Sequence, residues 1–289
     1  MRKVFLTFAD GGANFVAARE RLVQEAKLTG QFDDVRGYSW DDVKNREAIA
    51  SSLRNNKHGC GYWLWKPAII SEVLAELDDG DVLLYCDSGD ELSTSPWQWK
   101  KFFKYLDNVD IICKRISACA LHRCRKELLS QFSCQSISGC RLCFQYEMGA
   151  TFIKKTAFTV ELIDEWFRVM LEHPEFVTDV GSEPEHGRQL PTFMEHRHDQ
   201  SVFSLVLSKY LCGSVMNQKI KTVWEFHAGW WLLGNPCISV SRNRSGIRTR
   251  MTIKARVMRL AYRVIWRGQL FLERHGVCLF WEKGGRYGA

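Results

Sequence analysis

The sequence predicts an α/β fold, a mainly parallel sheet flanked by helices. Short apolar runs alternate with amphipathic stretches through the first half of the chain, the pattern of repeated strand–helix units. The segment Asp81-Val82-Leu83-Leu84-Tyr85-Cys86-Asp87-Ser88-Gly89 holds an unbroken apolar run, as a central strand covered on both faces requires. With 289 residues, of which 46% are hydrophobic and 25% charged, the chain is long enough to bury a sizeable core.

Each element follows from local pattern. Residues 3–9 read as the first strand, and Ala13 to Leu28 as a helix with Phe15, Ala18, Leu22 and Ala26 at helical spacing. Phe32 to Tyr38 reads as a strand and Asp42 to Asn55 as a helix. A Gly-punctuated aromatic loop, Gly59 to Pro67, precedes a helix from Ala68 to Leu77 and the strand at 81–86. Pro96 to Leu106 reads as a helix, Val109 to Cys113 as a short strand, and 114–146 as irregular. Glu147 to Ile153 is the next strand. The helix from Ala157 to Leu171 sets Phe158, Leu162, Ile163, Trp166 and Met170 on one face. A long loop over 172–194 carries three prolines, and loops of that length in compact domains are usually functional or disordered. A helix from Asp199 to Tyr210 follows.

Several classes are excluded. No G-x-G-x-x-G follows the first strand, and neither a phosphate-binding P-loop nor a G-x-S-x-G nucleophile elbow occurs. No apolar stretch approaches the roughly 18 residues needed to span a bilayer. The N-terminus enters a strand without a signal-peptide core, so the expected location is the cytosol. Of eleven cysteines, Cys60, Cys86, Cys212, Cys237 and Cys278 read as reduced core residues. Cys140 and Cys143 form one C-x-x-C beside the looser Cys119 and Cys124. That is half a zinc motif, and incidental cysteines explain it more simply.

Four features point to chemistry. Asp87 ends the central strand, with Ser88, Gly89 and Asp90 after it. Ligands of open α/β sheets bind beyond the carboxyl ends of the strands, where an acid can hold a metal against a phosphate. A plain Asx turn is the alternative. Tyr62-Trp63-Leu64-Trp65-Lys66-Pro67 offers aromatic faces beside a cation, suited to a ring plus a phosphate. Glu195-His196-Arg197-His198-Asp199-Gln200 crowds polar groups at a helix start, where Asp199 also fits as a cap. His227, among aromatics before Gly229, is either a core residue or a neutral imidazole ligand.

Together these residues resemble nucleotide-sugar glycosyltransferases of the GT-A fold, especially a bacterial and viral type involved in surface polysaccharide synthesis. The matching stretches are Arg21-Leu22 with Ala26, Phe32-Asp33, Gly61 to Pro67 (G-Y-W-x-W-K-P) and Gly80-Asp81 through Gly89. Glu147-Met148-Gly149-Ala150 and His196 to Ser201 (H-R-H-D-Q-S) complete the set, which spans residues 3–230. The resemblance implies a GT-A-like fold and hexosyl transfer from a nucleotide-sugar donor to a glycan or lipid-linked acceptor, with retention of configuration. It implies donor contacts from Phe8, Ala9, Asp10, Arg21, Tyr62, Trp65, Lys66, Asp87, Ser88, Gly89, Gly149 and Gly229. It further implies catalytic roles for Asp199, Gln200 and Glu147. A divalent ion, Mn2+ or Mg2+, would be held by Asp87 and His227, with Asp90 as a further ligand. Gly89 stands where the D-x-D metal motif of that family has its second acid.

Charge divides the chain. Ten basic residues against Glu273 give residues 242–274 a charge of +9, more than the whole chain's +7, so the body is slightly negative. The expected organisation is a catalytic domain over 1–240 and a basic helical C-terminal extension over 241–289. Arg256, Arg259, Arg263 and Arg267 follow helical spacing beside an apolar face, which suits an anionic membrane surface and a peripheral enzyme at its inner face. A helix docked on the body is the plainer alternative. A nucleic-acid or anionic-surface binding protein without catalysis is the rival reading. With positive charge confined to the tail, no nucleic-acid partner is expected.

Overall fold

The protein is described here from a computed structural model, which describes residues 1–44, 47, 49, 58–133, 144–181, 184–211, 215–226, 236–240, 243–247 and 261. A six-stranded sheet runs through its middle. The strands are β1 (Lys3–Phe8), β2 (Asp34–Tyr38), β3 (Val82–Asp87), β5 (Ile111–Cys119), β6 (Phe144–Lys154) and β7 (Ile220–Val223). A second, two-stranded sheet joins β4 (Glu91–Leu92) to β8 (Ile238–Ser239). Strand order in the large sheet is β2-β1-β3-β6-β5-β7. Pairings β1–β2, β1–β3 and β5–β7 are parallel, and only β6 runs against its two neighbours. The sheet is mainly parallel, as the sequence predicts.

The helices α1 (Ala13–Thr29), α2 (Trp65–Glu76), α3 (Pro96–Tyr105), α4 (Ala157–Glu172) and α5 (His198–Leu211) cover it. Two cores result, one on each face. Leu83 and Tyr85 join Val73, Trp166, Phe203 and Val206 in one, while Leu84 and Cys86 join Leu22, Trp99, Phe102 and Phe152 in the other. Alternate residues of a strand point to opposite faces, so a strand buried on both must be apolar throughout. That is why β3 carries an unbroken run. Parallel register aligns Phe8 with both Tyr38 and Asp87, so the carboxyl ends of β1, β2 and β3 share one rim.

The structure corrects several expectations. The stretch 114–146 is not irregular throughout: β5 continues to Cys119, helical turns occupy Ala120–Arg123 and Lys126–Gln131, and β6 begins at Phe144. Lys114 and Arg115 hide this continuation by interrupting the apolar pattern. Both are satisfied across the sheet, Lys114 by Glu147 at 2.6 Å and Arg115 over the Phe144 ring at 4.1 Å. Helix α2 starts at Trp65 rather than Ala68, because a proline in the first helical turn gives up no intrahelical hydrogen bond. Cys60 is exposed instead of part of the core, whereas Cys86 and Cys237 are buried. Strands β7 and β8 escape the sequence reading because they are only four and two residues long. Residues 134–143, His227, Gly229 and the tail helix expected over 255–272 lie outside the described residues, Ala261 excepted.

Candidate active site

The rim formed by the ends of β1, β2 and β3 is where three sequence-predicted residues meet. Lys66 Nζ lies 3.2 Å from Asp87 Oδ1 and 3.1 Å from Asp199 Oδ2. The ammonium thus bridges a carboxylate at the end of the central strand and one at the start of α5. Exposure separates the three groups: the side chains of Lys66, Asp199 and Asp87 are 5%, 10% and 43% exposed. Asp87 is the open edge of an otherwise dry cluster.

Local sequence explains each placement. Lys66 and Asp199 are the second residues of α2 and α5, so the amino-terminal turns of two helices converge on Asp87. An acid there is favoured by the helix dipole and a cation is not. Lys66 is tolerated because two carboxylates face it. Burial works against its charge, but Asp199 and then Asp87 outweigh it and hold the ammonium above the ordinary lysine range. Burial pushes the Asp199 carboxyl up, and Lys66 restrains that rise only in part.

Backbone supports surround the cluster. Tyr85 donates its hydroxyl to Asp87 Oδ1 at 2.8 Å, a contact the sequence signals only through the two-residue spacing along one strand face. Across the strand pair lies Gly149. A Cβ there would stand 3.2 Å from Asp87 Oδ2, so the glycine makes room for the carboxylate. Strand β6 gains extra residues against β5 around Met148 to Ala150, a bulge of the kind that re-aims side chains beside active sites. The Ser88–Asp90 turn is held from behind. Buried Arg21 donates to the carbonyls of Ser88 (3.0 Å), Asp90 (2.9 Å) and Ser245 (3.1 Å), and pairs with Glu25 at 2.9 Å. Asn243 N donates to Gly89 O at 3.0 Å.

The other predicted residues fall into place around this centre. Phe8 stacks on Trp65, ring centroids 3.8 Å apart, and the Trp65 indole donates to Gly59 O at 3.0 Å. Ala9 O accepts from Arg19 at 2.9 Å, and Asp10 Oδ2 accepts from Trp40 N at 2.6 Å. Asp10 therefore orders the turn after β1. Gln200 donates to Gln145 Oε1 on β6 at 3.0 Å. Glu147 is paired with Lys114, and Asp90 is 1% exposed within its turn. Tyr62 turns the other way and donates to Asp179 at 2.8 Å. His196 is structural: it is buried, accepts from Arg125 N at 3.3 Å through Nδ1 and bonds Phe176 O at 2.7 Å through Nε2. Asp199 lies within α5 rather than at the flanking cap position, and its Oδ2 pairs with Lys66.

No protein-family model matches the chain, and no curated protein matches it in sequence. Among the solved structures that resemble it are three glycosyltransferases. Mouse xyloside xylosyltransferase 1 has a TM-score of 0.41 at 10% identity, over 77% of this chain and 84% of that one. A glycosyltransferase involved in glycosylation of the major capsid of PBCV-1 scores 0.33 at 11% identity, over 76% and 98%. The galactosyltransferase LgtC, crystallised with donor and acceptor sugar analogues, scores 0.39 at 10% identity, over 77% and 73%. Likeness at this distance assigns a role to no residue of this chain, and the site is read from its own geometry.

Proposed function

We propose that this chain is a glycosyltransferase that moves a hexosyl group from a nucleotide-sugar donor to a glycan or lipid-linked acceptor. The observation that carries the reading is the buried Lys66 bridging Asp87 and Asp199 at the rim where three strands and two helix amino-termini end. Helix amino-termini bind anions through their free N–H groups and dipoles. A diphosphate entering this rim meets them and Lys66 together, with Asp87 at the open edge.

The chemistry follows from the burial pattern. Glycosyl transfer develops positive charge on the sugar and negative charge on the departing diphosphate. Lys66, held charged in a dry setting, stabilises the departing charge more than it could in water. Asp199, the second carboxylate paired with Lys66, would stabilise the developing sugar cation or orient an acceptor hydroxyl. Glu147 and Gln200 line the neighbouring β6 side. Donation by Tyr85 fixes the Asp87 carboxylate, and Arg21 acts through the turn it orders.

Asp87 also fits a divalent ion. Mg2+ is commonly held by one or two carboxylates together with substrate phosphate oxygens, and Asp87 offers a partly exposed carboxylate beside the anion site. Asp87 would hold Mn2+ or Mg2+, with His227 proposed from sequence as a second ligand. The ion would supply further neutralisation of the leaving diphosphate. Retention is proposed from the Asp199-Gln200 pair.

A screen of sugar nucleotides by thermal shift, with and without Mn2+ or Mg2+, tests the proposal, because a ligand of the native state raises apparent stability. One donor should raise the melting temperature of the wild type but not of Asp87→Asn, which should stay folded and lose transfer. Wild-type transfer by Asp87→Asn would remove the site. We propose in addition that the basic tail binds anionic membrane at the cytoplasmic face. Residues 243–247 pack on the body through Arg21, Gly89 and Glu91, so a truncation that tests the tail begins beyond Ile247. It should keep transfer to a soluble acceptor and lose sedimentation with anionic liposomes. Unchanged liposome binding would eliminate the membrane role.

A further inference from the structure

Next to Asp199 in sequence, His198 belongs to a second constellation that takes no part in the mechanism above. His58, Asp179 and His198 present one ligand atom each, all within 4.8 Å of one another. His58 Nδ1 is 3.1 Å from Asp179 Oδ2, and His198 Nε2 is 3.5 Å from Asp179 Oδ1. They come from three separate segments: the turn before α2, the loop after α4 and the first residue of α5.

Two further observations point to a cation among them. His198 Nδ1 lies 2.7 Å from the Val177 carbonyl, which can only accept, so Nδ1 carries the proton. In the neutral ring Nε2 then turns a lone pair toward the Asp179 carboxylate, two acceptors face to face. This is also how metal-binding histidines are oriented, one nitrogen donating to a backbone carbonyl and the other left to bind. The backbone that delivers His58 is strained as well. Cys60, Tyr62 and Trp63 all have positive φ, at 50°, 53° and 60°, a conformation costing about 1–2 kcal/mol per L-residue. Trp63 stacks on the His198 ring at 5.3 Å and meets the His58 ring at 5.2 Å, so both imidazole planes are set by packing.

We propose that His58, Asp179 and His198 form a transition-metal site, best suited to Zn2+, distinct from the divalent ion at Asp87. Two imidazoles and one carboxylate are a zinc donor set, leaving a fourth position for water or another ligand. The His58 and Asp179 side chains are 49% and 56% exposed, so an ion has a path in. Its role is to clamp the 58–63 turn to the start of α5, holding Lys66 and Asp199 in register through their near neighbours.

Titration of the metal-stripped full chain with Co2+, followed by Zn2+ competition, tests this without any assay of transfer. Wild type should take up one Co2+ with the visible absorption bands of a low-coordinate site, and Zn2+ should displace it and raise the melting temperature. His58→Ala and Asp179→Ala, both at half-exposed positions, should stay folded, lose the bands and bind Zn2+ at least about tenfold more weakly. No Co2+ band in wild type, or a band unchanged in either variant, would overturn the site and leave the three residues as an ion-pair cluster.

Discussion

Replacing Lys66 with methionine keeps most of the side-chain volume and removes the charge that joins Asp87 to Asp199. The Asp199 side chain is buried, and removing one partner of a buried ion pair costs about 3–5 kcal/mol because the other charge is left without compensation. Asp87 is well enough hydrated to add about 1 kcal/mol at most. Taking about 3 kcal/mol, the melting temperature should fall by about 5 °C for a chain of this size. The loss should depend on pH with a definite sign. The Asp199 carboxyl already lies above its ordinary range and rises further without Lys66, so the native variant binds more protons than its unfolded chain. Its deficit therefore shrinks on acidification and grows as pH rises through the native Asp199 value. Adding Asp199→Asn to Lys66→Met should recover most of the stability, with transfer still absent. Calorimetry across pH, paired with initial rates, decides the matter. Unchanged melting and turnover in Lys66→Met, or a double variant no more stable than the single one, would refute the buried-bridge reasoning.

Three other perturbations have defined outcomes. Asp199→Asn should lower kcat by about 10²-fold or more while KM for the donor changes little, as steady-state kinetics would show; a change in KM alone would assign Asp199 to ground-state binding. Gly149→Ala places a Cβ 3.2 Å from Asp87 Oδ2, so the carboxylate must shift by a few tenths of an ångström. Turnover should fall about tenfold with little change in melting temperature, and unchanged turnover would place Asp87 away from the reacting groups. Burial holds the His196 imidazole down to about 3 from an ordinary 6.5. The unfolded chain therefore takes up a proton first, and stability should fall as pH drops from 6.5 toward 3 by up to about 1.4 kcal/mol per unit. Urea midpoints for His196→Gln should show a shallower slope over that window, and an equal slope would put the acid sensitivity elsewhere.

What could be read in advance followed the strength of the local pattern. The apolar run of β3, the amphipathic faces of α1 and α4, and the acid at a strand end were legible because period and burial agree there. Lys66 and Asp199 were legible as unusual residues but not as a pair, since 133 positions separate them and only the fold brings both helix starts to Asp87. The length of β5 was hidden because the charges at Lys114 and Arg115 look like a loop until Glu147 and Phe144 stand opposite. Asp179 gave no signal at all. Its role depends on a loop whose sequence has no period and on histidines over a hundred and about twenty residues away in opposite directions. The polar run at residues 195–200 looked like one site and divides in two, with His196 buried as a backbone tie and Asp199 at the rim.

The most direct measurement is a crystal structure with an intact or fluorinated sugar nucleotide identified by the donor screen. The diphosphate should lie at the carboxyl rim of β1 and β3, within contact distance of Lys66 and beside Asp87, with the sugar directed toward Asp199 and β6. A nucleotide bound elsewhere, or one at the rim with its diphosphate turned away from Lys66 and Asp87, would contradict this placement.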